Sequence, residues 1–163
     1  MDELIRSIVD ALESENWYAA LCVALTLPDI CGYLENPSEK GIQTRYEKWF
    51  ERYMLPRYQR VLAMGIKHTF LHPADCFALR CAVLHSSDDS ITEQRAKEVL
   101  ERFQFVKPSL NFSHCNQSGS TLQLQVDVFC AEIIDGVRHW LDDIRGNTEI
   151  ENRIVSRMKI YPS

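Results

Sequence analysis

The stretch that decides the fold is an apolar segment that nevertheless carries an arginine and a histidine, Ala74-Asp75-Cys76-Phe77-Ala78-Leu79-Arg80-Cys81-Ala82-Val83-Leu84-His85. Leu79 and Val83 recur at the spacing of a packed helix face. Pro73 suits the first helical position, and Asp75 in the first turn suits the positive end of the helix dipole. The stretch therefore predicts a buried α-helix. Because an unpaired guanidinium in such a helix is expensive, Arg80 must have a partner or a function.

The spacing of the two polar residues limits how they can act together. Five residues along a helix correspond to roughly 500°, so Arg80 and His85 lie about 140° apart around its axis. A second copy of the helix, packed across a two-fold axis, would bring two arginines and two histidines to one seam. The small side chains of Cys76, Ala78 and Ala82 would permit such a close approach. A long arginine could also swing toward the imidazole within one protomer, so a dimer is one arrangement in which these residues could form a site.

The segment from Arg80 to His85 resembles the signature of the HEPN superfamily, which is an arginine, four to six residues and then a histidine. Members of that superfamily are small helical bundles, usually dimeric, and many are metal-independent ribonucleases with a composite site at the dimer seam. The resemblance, which is to bacterial HEPN-like proteins, implies a bundle of four to five long helices and a homodimer whose seam includes this helix. It also implies RNA or a cognate antitoxin protein as partners, in a defence or toxin–antitoxin setting.

The candidate catalytic residues are Arg80 and His85, with Asp75, Asp29 and Cys81 in support. The resemblance implies RNA cleavage by attack of the 2′-hydroxyl on its own phosphorus, without a metal. A histidine that titrates near neutrality can serve as base or acid, and an arginine matches phosphate oxygens with paired donors. A dimeric site would supply one histidine as base and the other as acid. We predict neither a metal nor a cofactor.

Two main interpretations of this helix stay open. The first is a non-catalytic dimeric binding or regulatory module, in which the arginine and the histidine belong to a structural polar network. The second is a metal-independent endoribonuclease. Nuclease members commonly carry Asn, Asp or His directly after the arginine, whereas this chain carries Cys81. The chain also has a net charge of -5. Both observations favour the first interpretation. A metal or small-molecule enzyme built from the cysteines and His114 is a third and weaker interpretation.

Asp29 directly follows Pro28 in a long apolar stretch, and two roles are open for it. Its carboxylate can satisfy backbone groups that the proline leaves unpaired, which is the role we favour. It can also pair with Arg80 and orient the guanidinium. Both roles can hold together.

Composition narrows the classes of function. With 163 residues and 45% hydrophobic content, the chain predicts one domain with a substantial core. A net charge of -5 argues against a broad surface that follows a nucleic-acid backbone. Met1-Asp2-Glu3 has the wrong charge for a secretory signal, and no run of membrane-spanning length is expected, so we predict a cytoplasmic protein without membrane contact.

The six cysteines form no CxxC pair, which favours reduced and buried thiols over disulfides or zinc. The only adjacent His/Cys pair is His114-Cys115. With only 6 glycines in the chain, a loop that cradles a nucleotide is not expected.

The remaining segments predict a mainly α-helical single domain over residues 1–163. Helices are expected from Asp2 to about Ser14 and from Trp17 to about Leu34, the latter kinked or split at Pro28. A third helix, capped by Ser38, carries a face at helical spacing that we assign to the core or to a dimer interface, namely Ile42, Tyr46, Trp49, Phe50, Tyr53 and Met54.

The second half of the chain mixes strand and helix patterns. Residues 55–71 are irregular and predict a connecting segment with one short helical turn. Alternation between turn clusters at about 102–125 predicts an inserted antiparallel β-hairpin or three-stranded sheet. Two helices follow, the first capped by Asp127 and the second by a Thr148-Glu149-Ile150-Glu151 capping box. The residues expected in the core or an interface are Leu21, Leu25, Trp49, Val83, Ile133, Val137 and Trp140.

Overall fold

Helices make up most of the chain in a computed structural model, which describes residues 1–84, 98–99, 101–109, 113–119, 121–157 and 160. Six α-helices have described bounds, namely α1 (Asp2–Glu13), α2 (Trp17–Glu35), α3 (Ile42–Tyr53), α4 (Pro73–Leu84), α5 (Val126–Asp143) and α6 (Thr148–Val155). Two small sheets accompany them. The prediction of a mainly helical protein with a small β insertion is therefore confirmed.

Helix α2 lies at the centre and contacts α1, α3, α4, α5 and α6. Its apolar residues are distributed around the whole helix, as expected of an element that is covered on most sides. Of the predicted kink or split at Pro28, the split is wrong, because α2 continues through this residue as one helix, and the kink stays a prediction. Pro28 is itself buried, so packing from the neighbouring helices holds the turn that has lost its backbone hydrogen bond.

The length and apolar composition of α2 are sufficient to cross a membrane, contrary to the sequence-based expectation. Half of its most apolar 18-residue segment is buried inside the fold. Helix α2 is the only helix of the described residues with these properties. Its contacts with five other helices are those of a core helix.

Helix α3 packs its predicted aromatic face into the core, with Tyr46 and Phe50 fully buried and Trp49 nearly so. The predicted Ser38 cap is wrong. The Ser38 hydroxyl donates to Asn36 Oδ1, and α3 instead begins after Gly41, whose φ of 94° turns the chain into the helix.

The inserted sheet consists of β3 (Phe103–Val106), β4 (Asn116–Ser118) and β5 (Thr121–Gln125), with β5 in the middle. Strand β4 pairs antiparallel with β5, whereas β3 pairs parallel with it, so the prediction of a purely antiparallel sheet is wrong. The alternation of apolar and polar residues indicates which side chains of a strand are buried, and it is the same in parallel and antiparallel pairing. Leu122 and Leu124 supply the buried side of β5, which runs directly into α5.

A second hairpin was not predicted. Strands β1 (Gln59–Val61) and β2 (Lys67–Thr69) pair antiparallel in the segment that we expected to be a connection. Each strand has three residues and none of them is buried, so the sequence shows no alternation of apolar and polar residues that would predict these strands. The predicted helical turn is present as a 3-10 helix at Leu55–Tyr58.

Two predicted helix caps are displaced. The N-cap of α5 is Gln125 rather than Asp127, because β5 leads into the helix without a loop. The N-cap of α6 is Asn147 rather than Thr148, since the Asn147 side chain accepts the Ile150 N–H. Both helices begin within two residues of the predicted positions.

The expected core is otherwise confirmed. The indole of Trp140 is fully buried, and its N–H donates to Glu35 Oε2 on α2. Val83 is only partly buried at the end of α4.

Candidate functional site

Helix α4 carries three of the predicted site residues, Asp75, Arg80 and Cys81. Its described part ends at Leu84, so the predicted catalytic His85 lies outside the described residues. The geometry of an Arg80–His85 pair therefore stays a prediction. Arg80 itself lies among the described residues.

Arg80 is largely enclosed, with 11% of its side chain exposed. Its Nη2 lies 3.4 Å from Asp29 Oδ2 on α2, and its Nη1 lies 3.8 Å from the sulfur of Cys81. The Nε atom is buried and has no hydrogen-bond partner among the described residues. The guanidinium thus faces protein on several sides and joins α4 to α2.

Asp29 forms the pair with Arg80 that we considered as one of its two roles. Burial raises the pKa of this carboxyl, and the positive charges of Arg80 and Arg45 act against that rise without cancelling it. The ionised form of Asp29 is therefore held at a desolvation cost that the ion pair offsets only in part.

Asp75 and Cys81 are both buried, but they have different surroundings. Asp75 Oδ2 lies 3.5 Å from Arg102 Nη2, directly before strand β3, so this carboxylate joins α4 to the inserted sheet. Cys81 is 1% exposed and packs in the core. Neither residue presents its side chain to solvent.

The small residues that would permit a close helix approach are mostly used within the chain. Cys76 and Ala78 are buried, and the Cys76 sulfur lies 3.3 Å from the Tyr46 hydroxyl of α3. Burial raises the pKa of the Cys76 thiol to about 12, which suits an unreactive core residue. Ala82 is only partly buried, so the last turn of α4 is the part of this face that remains accessible.

A second polar cluster, not predicted from sequence as a group, joins the inserted sheet to α5. His114 Nε2 lies 3.3 Å from Glu132 Oε2, and the Tyr58 hydroxyl donates to the same oxygen at 2.5 Å. The Gln125 backbone N–H donates to His114 Nδ1 at 3.2 Å. The three side chains come from separate segments, so no local spacing in the sequence indicated such a network.

The charges around His114 favour a charged ring, whereas the hydrogen bond at its Nδ1 requires a neutral one. Burial favours neutral His114, but hydrogen bonds and charge from Cys115 and Glu132 outweigh it and raise the His114 pKa to about 9. The Gln125 N–H donates to Nδ1, so the ring can become charged only if this hydrogen bond is broken, because a protonated Nδ1 is a donor and cannot accept it. Burial would raise the Glu132 pKa, but hydrogen bonds from His114 and Tyr58 outweigh it and lower that pKa.

These shifts predict the pH range in which the pair stabilises the fold. The His114 contribution is complete below pH 6.5 and is lost as the pH rises toward 9, whereas the Glu132 contribution is present above pH 4.5 and is lost below it. We expect wild type to lose about 2 kcal/mol more than His114→Gln between pH 6.5 and 9 in urea unfolding. The measurement is the free energy of unfolding at each pH.

The control for this measurement is a second histidine, which lies on α5. His139 lies exposed on the same helix, so His139→Gln should leave the wild-type profile unchanged. Parallel profiles for wild type and His114→Gln would show that His114 is not charged in the folded protein.

The described residues contain no group of three His, Cys, Asp or Glu side chains that could hold a metal ion. The six cysteines all lie among the described residues, and none of them forms a disulfide. No family model, curated protein or solved structure matches this chain. The class that the fold defines is a mainly α-helical protein with two small sheets.

Proposed function

We propose that this protein is a non-catalytic HEPN-like binding or regulatory module that acts as a homodimer. The observation that carries the proposal is the enclosure of Arg80, whose guanidinium faces Asp29 and the sulfur of Cys81. A ribonuclease of the kind that the resemblance implies needs this guanidinium to donate to phosphate oxygens. Arg80, which is only 11% exposed, would have to leave the partly buried carboxylate of Asp29 to do so, which is costly.

An exposed apolar cluster supports a binding role. The tip of the β1–β2 hairpin presents Val61, Leu62, Met64 and Ile66, each at least half exposed and Met64 almost completely. Exposed apolar patches of this kind often mark contacts with other proteins. A partner protein, such as the cognate antitoxin that the resemblance implies, is therefore a second element of the proposal.

The proposal is tested by incubating structured RNA with wild type, His85→Ala and Arg80→Lys, each with and without EDTA. We expect no cleavage by wild type above the level seen with His85→Ala. Cleavage that survives EDTA, leaves 2′,3′-cyclic phosphate ends and is lost in both variants would contradict the proposal. It would establish the alternative, a metal-independent endoribonuclease with a composite Arg80/His85 site.

Light scattering on the same samples tests the dimer. We expect a homodimer at tens of micromolar concentration, with Ala82 in the accessible last turn of α4 at or near the seam. The Ala82→Glu variant should then be a folded monomer. A monomeric wild type would remove both the dimeric module and the composite nuclease site.

A further inference from the structure

A cavity of about 540 Å³ opens between α2, α3, α6 and the residues directly after α6. Its polar lining includes Arg45, Arg153 and Arg157, and we call it the arginine groove. The volume lies within the range of sites that hold small molecules. None of its three arginines was singled out in the sequence, although Arg153 and Arg157 have the four-residue spacing of one helix face.

Two of the arginines are held in place by backbone oxygens. Arg153 Nε donates to the Leu34 carbonyl at 2.7 Å, and its Nη2 donates to the Glu35 carbonyl at 3.3 Å. Arg45 Nη1 donates to the Glu39 carbonyl at 2.6 Å. These bonds reduce the conformational entropy that the side chains would lose when they bind a ligand.

The third arginine retains donor capacity. Arg157 Nη1 lies 3.2 Å from Met1 Sδ, and a thioether is only a weak acceptor. A guanidinium with such a partner gains more from an oxyanion, since charge-assisted hydrogen bonds are roughly twice as strong as neutral ones.

The acidic residues near the groove do not balance its charge. Asp29 lines the groove, and its carboxylate is shared between Arg80, at 3.4 Å, and the weaker influence of Arg45, so it offsets the groove charge only in part. Glu149 lies 3.9 Å from Arg153 Nη1, and its side chain is 87% exposed, so the charge it contributes is well screened. Three arginines therefore leave a local excess of positive charge in a chain whose net charge is -5.

One wall of the groove is apolar and accessible. Tyr33 is 51% exposed and Ile42 is 45% exposed, and both line the cavity. The Arg45 guanidinium lies 5.5 Å from the centre of the Tyr33 ring, which supports the ring in its position. A ligand that fits must therefore combine an anionic group with a flat or apolar body.

We propose that the arginine groove binds a small organic phosphate, a phosphate monoester attached to an aromatic or apolar body. A phosphate monoester carries nearly two negative charges at neutral pH and three acceptor oxygens, which matches three guanidinium groups better than a single carboxylate does. The body of the ligand would lie against Tyr33 and Ile42. This inference goes beyond the proposed function, because its arginines are separate from the Arg80–His85 segment and either proposal can fail alone.

Isothermal titration of phenyl phosphate into the full chain tests the inference. We expect saturable one-site binding with a Kd below about 1 mM. Inorganic phosphate should bind at least about tenfold more weakly, because it lacks the aromatic body. Benzoate should also bind more weakly, because it carries a single charge.

Matched variants assign the binding to the groove. Arg157→Gln and Tyr33→Ala should each weaken phenyl phosphate binding about tenfold or more. Arg145→Gln removes the same charge from an arginine that is 79% exposed and is not part of the groove lining, and it should bind like wild type. Circular dichroism and thermal unfolding of each variant confirm that its fold is retained.

Three results would overturn the inference. They are the absence of saturable phenyl phosphate binding to wild type, equal binding by Arg157→Gln and Arg145→Gln in folded proteins, and equal affinities for benzoate and phenyl phosphate. None of these results depends on RNA cleavage or on dimer formation, so they leave the proposed function unaffected.

Discussion

Arg80→Met should lower the free energy of unfolding by about 3 kcal/mol or more at neutral pH, because it leaves the carboxylate of Asp29 partly buried without its charge partner. Methionine keeps most of the apolar stem, so lost packing contributes little to this change. Asp29→Asn should also be destabilising, since it leaves a guanidinium that is only 11% exposed without a counter-charge. The double variant should lie within about 1 kcal/mol of wild type, because neither buried charge remains unpaired.

Urea unfolding followed by circular dichroism measures all three variants, and a double-mutant cycle isolates the coupling of the pair. The matched control is Arg145→Met, which removes an exposed arginine that pairs with Asp142 on the surface and should change stability by at most about 0.5 kcal/mol. If Arg80→Met were as stable as Arg145→Met, the guanidinium would not be needed for folding. The argument for a structural arginine, and with it the support for a non-catalytic module, would then be lost.

Gly32→Val should destabilise the protein by about 3 kcal/mol, because α2 and α3 pack too closely at this residue to admit a side chain. A Cβ added at Gly32 would lie 2.8 Å from the carbonyl oxygen of Arg45, which is a backbone atom that cannot rotate away. Helix propensity alone would favour Ala over Gly by roughly 0.5–1 kcal/mol. The contact therefore reverses the expected sign even for Gly32→Ala, which should cost about 1–2 kcal/mol.

Gly136→Ala provides the comparison at a second close approach, between α5 and α3. Its added Cβ would lie 2.8 Å from the sulfur of Met54 and 3.0 Å from the ring of Trp49. Methionine is flexible, so we expect a smaller loss than for Gly32→Ala. Thermal and urea unfolding rank the variants, and a stabilised Gly32→Ala would contradict the close approach.

Because Gly32 sets the distance of Arg45 from α2, Gly32→Ala should also weaken phenyl phosphate binding in the arginine groove.

Helix positions were predictable because local periodicity records which side of a segment is buried. The aromatic residues of the α3 face and the α5 residues Ile133, Val137 and Trp140 were identified in this way and are buried, whereas Ile42 of the predicted α3 face is 45% exposed. Several of the wrong predictions concern helix caps, where more than one neighbouring residue is acceptable by residue type. A serine, an aspartate and a threonine were each acceptable caps by residue type, but the course of the preceding chain places the helix starts elsewhere.

Strand pairing and side-chain partners were less predictable. The alternation in 102–125 indicated strands, but it could not show that β3 runs parallel to β5. The β1–β2 hairpin has no buried residue and therefore no pattern to detect. The clustering of Tyr58, His114 and Glu132 depends on how three distant segments pack, and no local spacing records it.

The sequence by itself determined the helical class, the approximate position of each helix and the need for a partner for Arg80, because each of these follows from the polarity of neighbouring residues. Only the tertiary structure decided that the partner is Asp29, 51 residues away, and that Arg45 joins Arg153 and Arg157 around one cavity. The physical reason is that burial is encoded locally by hydrophobic periodicity, whereas the partner of a buried charge depends on which helices pack together.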